Sequence, residues 1–207
     1  MKVLQMVVGP ISTNCYMAVN EKTNEAVVID PGDEGQRIAE EIKKANLNVK
    51  AIFITHGHSD HISGLEEVEA ATGAKIYMSK EDAPRLGNRQ SAFSYGGQKK
   101  GKTITAPDEF FTDGEELTVA GMNFKIYATP GHTVGGVCIQ CEDVVFCGDT
   151  VFAESIGRTD LPGGSYEAIL KSIKEKILPL DDKVKLLPGH GPATTVGWER
   201  RRNPFLQ

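Results

Sequence analysis

Thr55-His56-Gly57-His58-Ser59-Asp60-His61 gathers three imidazoles and one carboxylate into seven residues. Helix caps and apolar cores have no use for such a cluster, whereas imidazole and carboxylate are the ligands that zinc, iron and manganese share. Along an extended backbone alternate side chains point the same way, so His56 and His58 can reach one ion. Asp60 and His61 are adjacent, lead into a helical stretch and face differently, toward a second ion.

Working outward, the chain has five histidines and all of them sit at candidate ligand positions. The other two are His132, in Thr129-Pro130-Gly131-His132-Thr133, and His190, in Leu187-Pro188-Gly189-His190-Gly191. Four segments share one layout. Ala51–Ile54 runs into His56, Phe124–Tyr127 into His132, Val144–Cys147 into Asp149 and Val184–Leu187 into His190. Each is an apolar, strand-like run followed by glycine and then a ligand type. Asp149 alone, in Gly148-Asp149-Thr150, would also read as a turn or helix cap. Loops at the carboxyl ends of buried strands can converge on one point, which is where α/β proteins usually bind ligands. Glycine beside each ligand lets the backbone turn sharply and approach closely.

Seven candidate ligands are too many for one tetrahedral ion. They divide into His56, His58 and His132 for one ion and Asp60, His61 and His190 for another, with Asp149 as the bridge. Such centres hold their ions about 3.5–4 Å apart around a shared water or hydroxide. The expected cofactors are therefore two divalent metal ions, zinc first, with iron or manganese also accepted by these ligands.

The rest of the chain sets the frame. Its 207 residues suit one large domain spanning 1–207, long enough to bury a core without staples. Net charge is −5, and Arg200-Arg201-Arg202 is the one short basic run, so nothing supports a nucleic-acid partner. No apolar run approaches the roughly 18 residues needed to cross a bilayer. MKVLQMVVGP lacks the long apolar region and cleavage site of a signal peptide. The expectation is a soluble cytoplasmic protein without membrane partners, and the sequence sets no oligomeric state. The four cysteines are Cys15, Cys138, Cys141 and Cys147. Cys138-Ile139-Gln140-Cys141 has the spacing of a zinc half-site but no second pair, and reads as buried small hydrophobes in a strand.

Strand-like runs cover Lys2–Val8, Cys15–Val19 and Ala26–Ile29, followed by a helical stretch from about 34 to 45 with Ile38 and Ile42 on one face. Val49–Ile54 is the strand before the histidine cluster. Ile62–Thr72 has helical periodicity, with Leu65, Val68 and Ala71 expected inward. Lys75–Met78, Leu117–Val119, Met122–Ala128, 136–140, Val144–Cys147 and Val184–Leu187 complete the strands. Tyr166–Leu178 is a helix with Ile169, Ile173 and Ile177 in register. Between Pro84 and Asp108 the pattern dissolves into Gly, Ser and Lys with isolated Phe93 and Tyr95. A loop of that length is expected to form a lid or wall beside the metals. Two sheets with helices packed outside them account for this order.

The block Thr55-His56-x-His58-x-Asp60-His61 resembles the signature of the metallo-β-lactamase superfamily, and His132, Asp149 and His190 match its remaining ligand motifs in order. Gly9-Pro10…Asn14-Cys15-Tyr16 and Asp30-Pro31-Gly32 extend the resemblance over essentially the whole chain. It implies an α/β fold, a four-layer αββα sandwich with the metals at one edge of the sheets. Within the superfamily the chain is most similar to short, single-domain glyoxalase II-like hydrolases. Gly148-Asp149-Thr150-Val151-Phe152, Gly157-Arg158-Thr159-Asp160 and Glu199-Arg200-Arg201-x-Asn203-Pro204-Phe205 carry that closer likeness. The chain departs from full-length glyoxalase II in having Gly191-Pro192 after His190 and no counterpart of its helical C-terminal domain.

What the resemblance implies is metal-dependent hydrolysis of a small-molecule thioester of the S-D-lactoylglutathione type, a metal-bridging hydroxide attacking the carbonyl. Asp60 and Asp149 are the expected catalytic carboxylates. Arg158 matches a basic position that touches the thiol carrier's carboxylate, and reads equally as an ion pair with Asp160. A persulfide dioxygenase with one iron on His58, His132 and Asp149 is a rival reading, and a lactonase or β-lactamase a further one.

Overall fold

Each expected strand forms, and hydrogen bonding collects the strands into two six-stranded sheets. The computed structural model describes residues 1–87 and 103–207. The first sheet contains β1 (Lys2–Val8), β2 (Thr13–Val19), β3 (Glu25–Ile29), β4 (Asn48–Phe53), β5 (Lys75–Ser79) and β6 (Glu109–Phe111), in that spatial order. Its first three strands are antiparallel neighbours and β3 to β6 run parallel. The parallel crossovers carry α1 (Gly35–Lys44), α2 (Ser59–Ile62), α3 (Leu65–Thr72) and the single turn α4 (Pro84–Gly87).

The second sheet is built from β7 (Glu116–Val119), β8 (Met122–Ala128), β9 (Val137–Cys141) and β10 (Val144–Gly148), an antiparallel series. A small hairpin of β11 (Val151–Phe152) and β12 (Ser155–Ile156) follows. The helix α5 (Tyr166–Ser172) continues as a wider turn through Ile173–Ile177. The sheet is completed by β13 (Lys185–Pro188), parallel to β10, and β14 (Thr194–Thr195), and the chain then forms α6 (Val196–Arg202).

Strand alternation creates three cores, and three cores make four layers. Tyr16, Ala18, Val27, Ile29 and Phe53 of the first sheet meet Phe124, Ile126, Ile139 and Phe146 of the second. The opposite faces of the same strands, through Cys15, Met17 and Val28, pack under Ile38 and Ile42 of α1 and Leu65 and Val68 of α3. On the far side Cys138, Val145 and Cys147 pack under Ile169, Ile173 and Ile177. The αββα sandwich expected from the sequence is the fold. All four cysteines are buried free thiols, as their apolar setting implies. Among the described residues no helix is long and apolar enough to cross a membrane.

Two expectations need correction. The periodic stretch Ile62–Thr72 is interrupted at Ser63-Gly64, whose backbone N–H groups are donated to Gly32 and Pro31 carbonyls at 3.0 and 2.9 Å. Those tertiary bonds outcompete helical continuation, and Ala71, expected inward, lies on the exposed face. The short strands β6, β11, β12 and β14, and α6 with its Thr195 cap, carry too few periodic residues to announce themselves. Most of the expected lid between Pro84 and Asp108, namely 88–102, lies outside the described residues.

Candidate metal centre

Strand ends assemble the site as their spacing suggests. β4 leads to His56, β8 to His132, β10 to Asp149 and β13 to His190, and β3, the parallel neighbour of β4, leads to Asp30. All seven expected ligands are brought together. His56, His58 and His132 form one group of mutually close donors, and Asp60, His61 and His190 another. Asp149 lies between them, with Oδ2 3.4 Å from His132 Nε2 and Oδ1 3.4 Å from His61 Nε2.

Hydrogen bonds on the outer side of each ring fix which nitrogen faces inward. His132 Nδ1 pairs with the Arg158 carbonyl at 2.8 Å, His190 Nδ1 with the Ile11 carbonyl at 3.2 Å and His61 Nδ1 with Asp30 Oδ2 at 2.8 Å. His56 Nδ1 lies 3.1 Å from Thr55 Oγ1, which itself donates to Asp30 Oδ2 at 2.6 Å. Each leaves Nε2 pointing into the centre. His58 is reversed: its Nδ1 faces inward, 2.8 Å from His132 Nε2. Partners of this kind hold tautomer and ring orientation and raise ligand basicity.

The donor set fits metal ions. A tetrahedral ion with bonds of 2.0–2.1 Å separates its donors by about 3.3 Å. Here His61 Nε2 and His190 Nε2 stand 3.4 and 3.2 Å from Asp60 Oδ2. His56 Nε2, His61 Nε2 and Asp149 Oδ1 are buried without a hydrogen-bond partner. Leaving such groups unmet costs roughly 1–3 kcal/mol each, which ligation would recover.

Electrostatics distinguish the two groups. Burial, then the neighbouring imidazoles, pushes His56 well below the usual histidine range. Burial, then His132 and Arg85, takes His58 down to about 4. Burial also opposes a charge on His61, but Asp149 and Asp30 outweigh it and hold the ring protonated well above its ordinary range. Asp60 and Asp149 stay ionised against burial, through His190 and His61 for Asp60 and chiefly His61 for Asp149.

A prediction follows for loading chelator-treated protein at pH 7. An ion at the His56, His58 and His132 group meets neutral His56 and His58, whereas one at His61 must displace a proton. Rising pH therefore favours the second ion, and protonation of His58, near 4, weakens the first. Calorimetry in two buffers of different ionisation enthalpy should give a larger buffer dependence for the step at the His61 group than for the step at the His56 and His58 group. Equal buffer dependence in both would contradict the assignment.

Arg158 forms the ion pair with Asp160 that is one of its two readings. Its Nε and Nη2 donate to the two oxygens of Asp160, both at 2.8 Å, and its side chain is 62% exposed. The Gly157-Arg158 motif reaches the centre through its backbone instead. The Arg158 carbonyl orients His132, and a Cβ on Gly157 would collide with the Asp149 carbonyl and lie 3.2 Å from His132 Cβ.

Sequence reasoning missed Asp30, whose left-handed backbone (φ 50) aims its carboxylate at Thr55 and His61. It also missed Asn14 and Tyr16, which hold the His190 loop through the Pro188 carbonyl at 2.9 and 2.8 Å. Both lie in stretches whose turn-forming and aromatic residues flagged the positions, but nothing local indicates their partners.

Known proteins share this chain's sequence and fold. The family model for the metallo-beta-lactamase superfamily matches residues 8–190. The chain is 38% identical over 198 residues to hydroxyacylglutathione hydrolase GloC of Haemophilus influenzae, covering 93% of this chain and 92% of that protein. It resembles the crystal structure of BLEG-1 B3 metallo-beta-lactamase with a TM-score of 0.89 and 35% identity, each chain covered fully at 100%. It also resembles TTHA1623 in a di-iron-bound form, with a TM-score of 0.85, 32% identity, and coverage of 98% of this chain and 100% of that one.

Proposed function

Because the chain belongs to the metallo-β-lactamase superfamily and is a metallo-hydrolase, we propose that its centre hydrolyses thioesters, with hydroxyacyl thioesters of the lactoylglutathione type as the leading substrates. One observation carries the choice of bond. The seven candidate ligands direct their atoms into the centre and both Asp30 oxygens are taken by Thr55 and His61, so among the described residues no free carboxylate or imidazole stands there to protonate a leaving group. A thiolate, whose parent thiol has a pKa near 8.5, departs without a strong general acid, whereas the amine of a cleaved amide needs a proton. The relationship to a hydroxyacylglutathione hydrolase supports the same choice.

Two divalent ions held by His56, His58 and His132 and by Asp60, His61 and His190, with Asp149 between them, would supply Lewis acidity and make water a nucleophile near neutral pH. Zinc is the first candidate, and the di-iron form of a structural relative keeps iron in contention. Asp60 Oδ2 accepts from Thr13 Oγ1 at 3.3 Å and lies 3.2 Å from His190 Nε2, and in this reading the carboxylate orients the attacking water. Asp30 prevents the His61 ring from turning as charge moves. The four unpaired thiols suit a reducing compartment, and action in the cytoplasm is part of this reading.

Metal analysis of protein purified without chelator, combined with a panel of a thioester, a lactone, a β-lactam and a persulfide, tests the proposal. Two ions per chain with preferential thioester turnover is the expected result. One iron with oxygen uptake on the persulfide would replace it by the dioxygenase reading, and preferential β-lactam cleavage by a lactamase.

A further inference from the structure

Arg85, on the single turn α4, stands beside the first histidine group without having been marked by any motif. Three residues earlier, the buried carboxylate of Asp82 accepts the Gly57 N–H at 2.8 Å through Oδ2 and the Gly135 N–H at 3.0 Å through Oδ1. This ties the loop of His56 and His58 to the loop that follows His132. Asp82 thereby fixes the base from which Arg85 extends.

The arginine stem lies flat against the histidine block, since a Cβ on Gly57 would stand 2.6 Å from Arg85 Cδ and 2.8 Å from its Cβ. On its other side Nη2 donates to the Pro162 carbonyl at 3.0 Å. A Cβ at the next residue, Gly163, would lie 3.6 Å from Nη2 and 3.0 Å from Val134 Cγ2. The guanidinium is thus part of a wall made by Gly57, Val134 and Pro162-Gly163, next to His58. Its nearest carboxylate is Asp82, 3.8 Å from Nε, which is beyond hydrogen-bond range and already accepts two backbone N–H groups. Nη1 has no hydrogen-bond partner among the described residues, and the side chain remains 34% exposed.

Arg158 presents the opposite case. Its Nε and Nη2 edge is filled by Asp160, so its charge is already offset by a two-point pair with a neighbouring carboxylate. At Arg85 the charge is positioned, only partly compensated and open. An arginine fork held by neighbouring groups is well suited to recognise a carboxylate.

We propose that Arg85 determines specificity at this centre by binding a carboxylate on the substrate, so that acidic thioesters are its substrate class. The proposal rests on the thioesterase reading above. The carboxylate can belong to the thiol carrier or to the acyl group, and three substrates separate these sources. S-D-lactoylglutathione has an acidic carrier, S-succinyl-N-acetylcysteamine an acidic acyl group, and S-lactoyl-N-acetylcysteamine neither.

Arg85→Ala should lower the acidic-to-neutral ratio of kcat/KM by roughly ten- to a hundredfold, the usual loss of one charge-assisted contact. The acidic substrate that loses more identifies where the carboxylate lies. Arg85→Lys should restore part of the ratio, and Arg158→Ala should leave it unchanged. Calorimetric binding of S-hexylglutathione and of succinate to the metal-loaded protein reads the same contact without turnover, and should weaken by a similar factor. If the wild type hydrolyses none of the thioesters but binds either probe through Arg85, the thioesterase reading falls and with it the substrate class, while the carboxylate contact at Arg85 stands. If Arg85→Ala changes neither the ratio nor probe binding, or if Arg158→Ala alone changes them, the proposal is overturned.

Discussion

Asp149→Ala should leave the sandwich folded while reducing metal content below two ions per chain and lowering turnover more than roughly a hundredfold. Loss of an outer partner of a ligand alone costs about 10–100-fold in metal affinity or activity. Asp149 is more than such a partner, because its two oxygens face the two groups, 3.4 Å from His61 Nε2 and 3.4 Å from His132 Nε2. The fold should survive because the residue directly follows β10, whose pairing with β9 and β13 involves backbone and not this carboxylate. Removing the carboxylate also takes away the strongest support for a protonated His61, so its pKa should fall. Elemental analysis, circular dichroism and kinetics on one preparation check all three. Two retained ions with normal turnover would remove Asp149 from the bridging role.

Gly189→Ala should selectively empty the Asp60, His61 and His190 group. A Cβ at this position would collide with Asp149 Oδ1 and lie 2.6 Å from His61 Cε1 and 3.2 Å from its Nε2. The backbone cannot yield easily, because Gly189 N–H donates to the Gly148 carbonyl at 2.8 Å and its own carbonyl accepts from Asn14 at 2.7 Å. Overpacking of this kind costs ~1–3 kcal/mol in stability. The larger effect should be on the second ion, whose affinity should fall by at least about tenfold. His56, His58 and His132 keep their geometry, so stoichiometry should approach one ion per chain. Wild-type affinity for both ions would show that the Gly189 loop can move aside, and would overturn this account of its glycine.

Much of the site was legible because metal ligation makes local demands. Three imidazoles in one short block, and a strand, a glycine and a ligand repeated along the chain, are visible without any fold. The same local logic found the buried isoleucines of α1 and α5, whose spacing alone defines a face. It failed for Ile62–Thr72, where the N–H groups of Ser63 and Gly64 prefer carbonyls of a loop thirty residues earlier in the chain. It failed for the two-residue strands, which form because a neighbour offers a ladder and not because of their own pattern.

The sequence by itself marked the candidate ligands, their division into two groups and two sheets with helices outside them, since residue type, spacing and hydrophobic period are properties of short segments. Tertiary structure decided how those ligands are aimed. His58 presents Nδ1 while His56, His61, His132 and His190 present Nε2. It also decided that Arg158 is paired with Asp160 while Arg85 lies open beside the histidines. The physical reason is the range of the interactions. A ring's orientation and a guanidinium's availability are set by hydrogen bonds to distant partners, as between His61 and Asp30, His132 and the Arg158 carbonyl, or Arg85 and the Pro162 carbonyl, and these meet only once both sheets have packed.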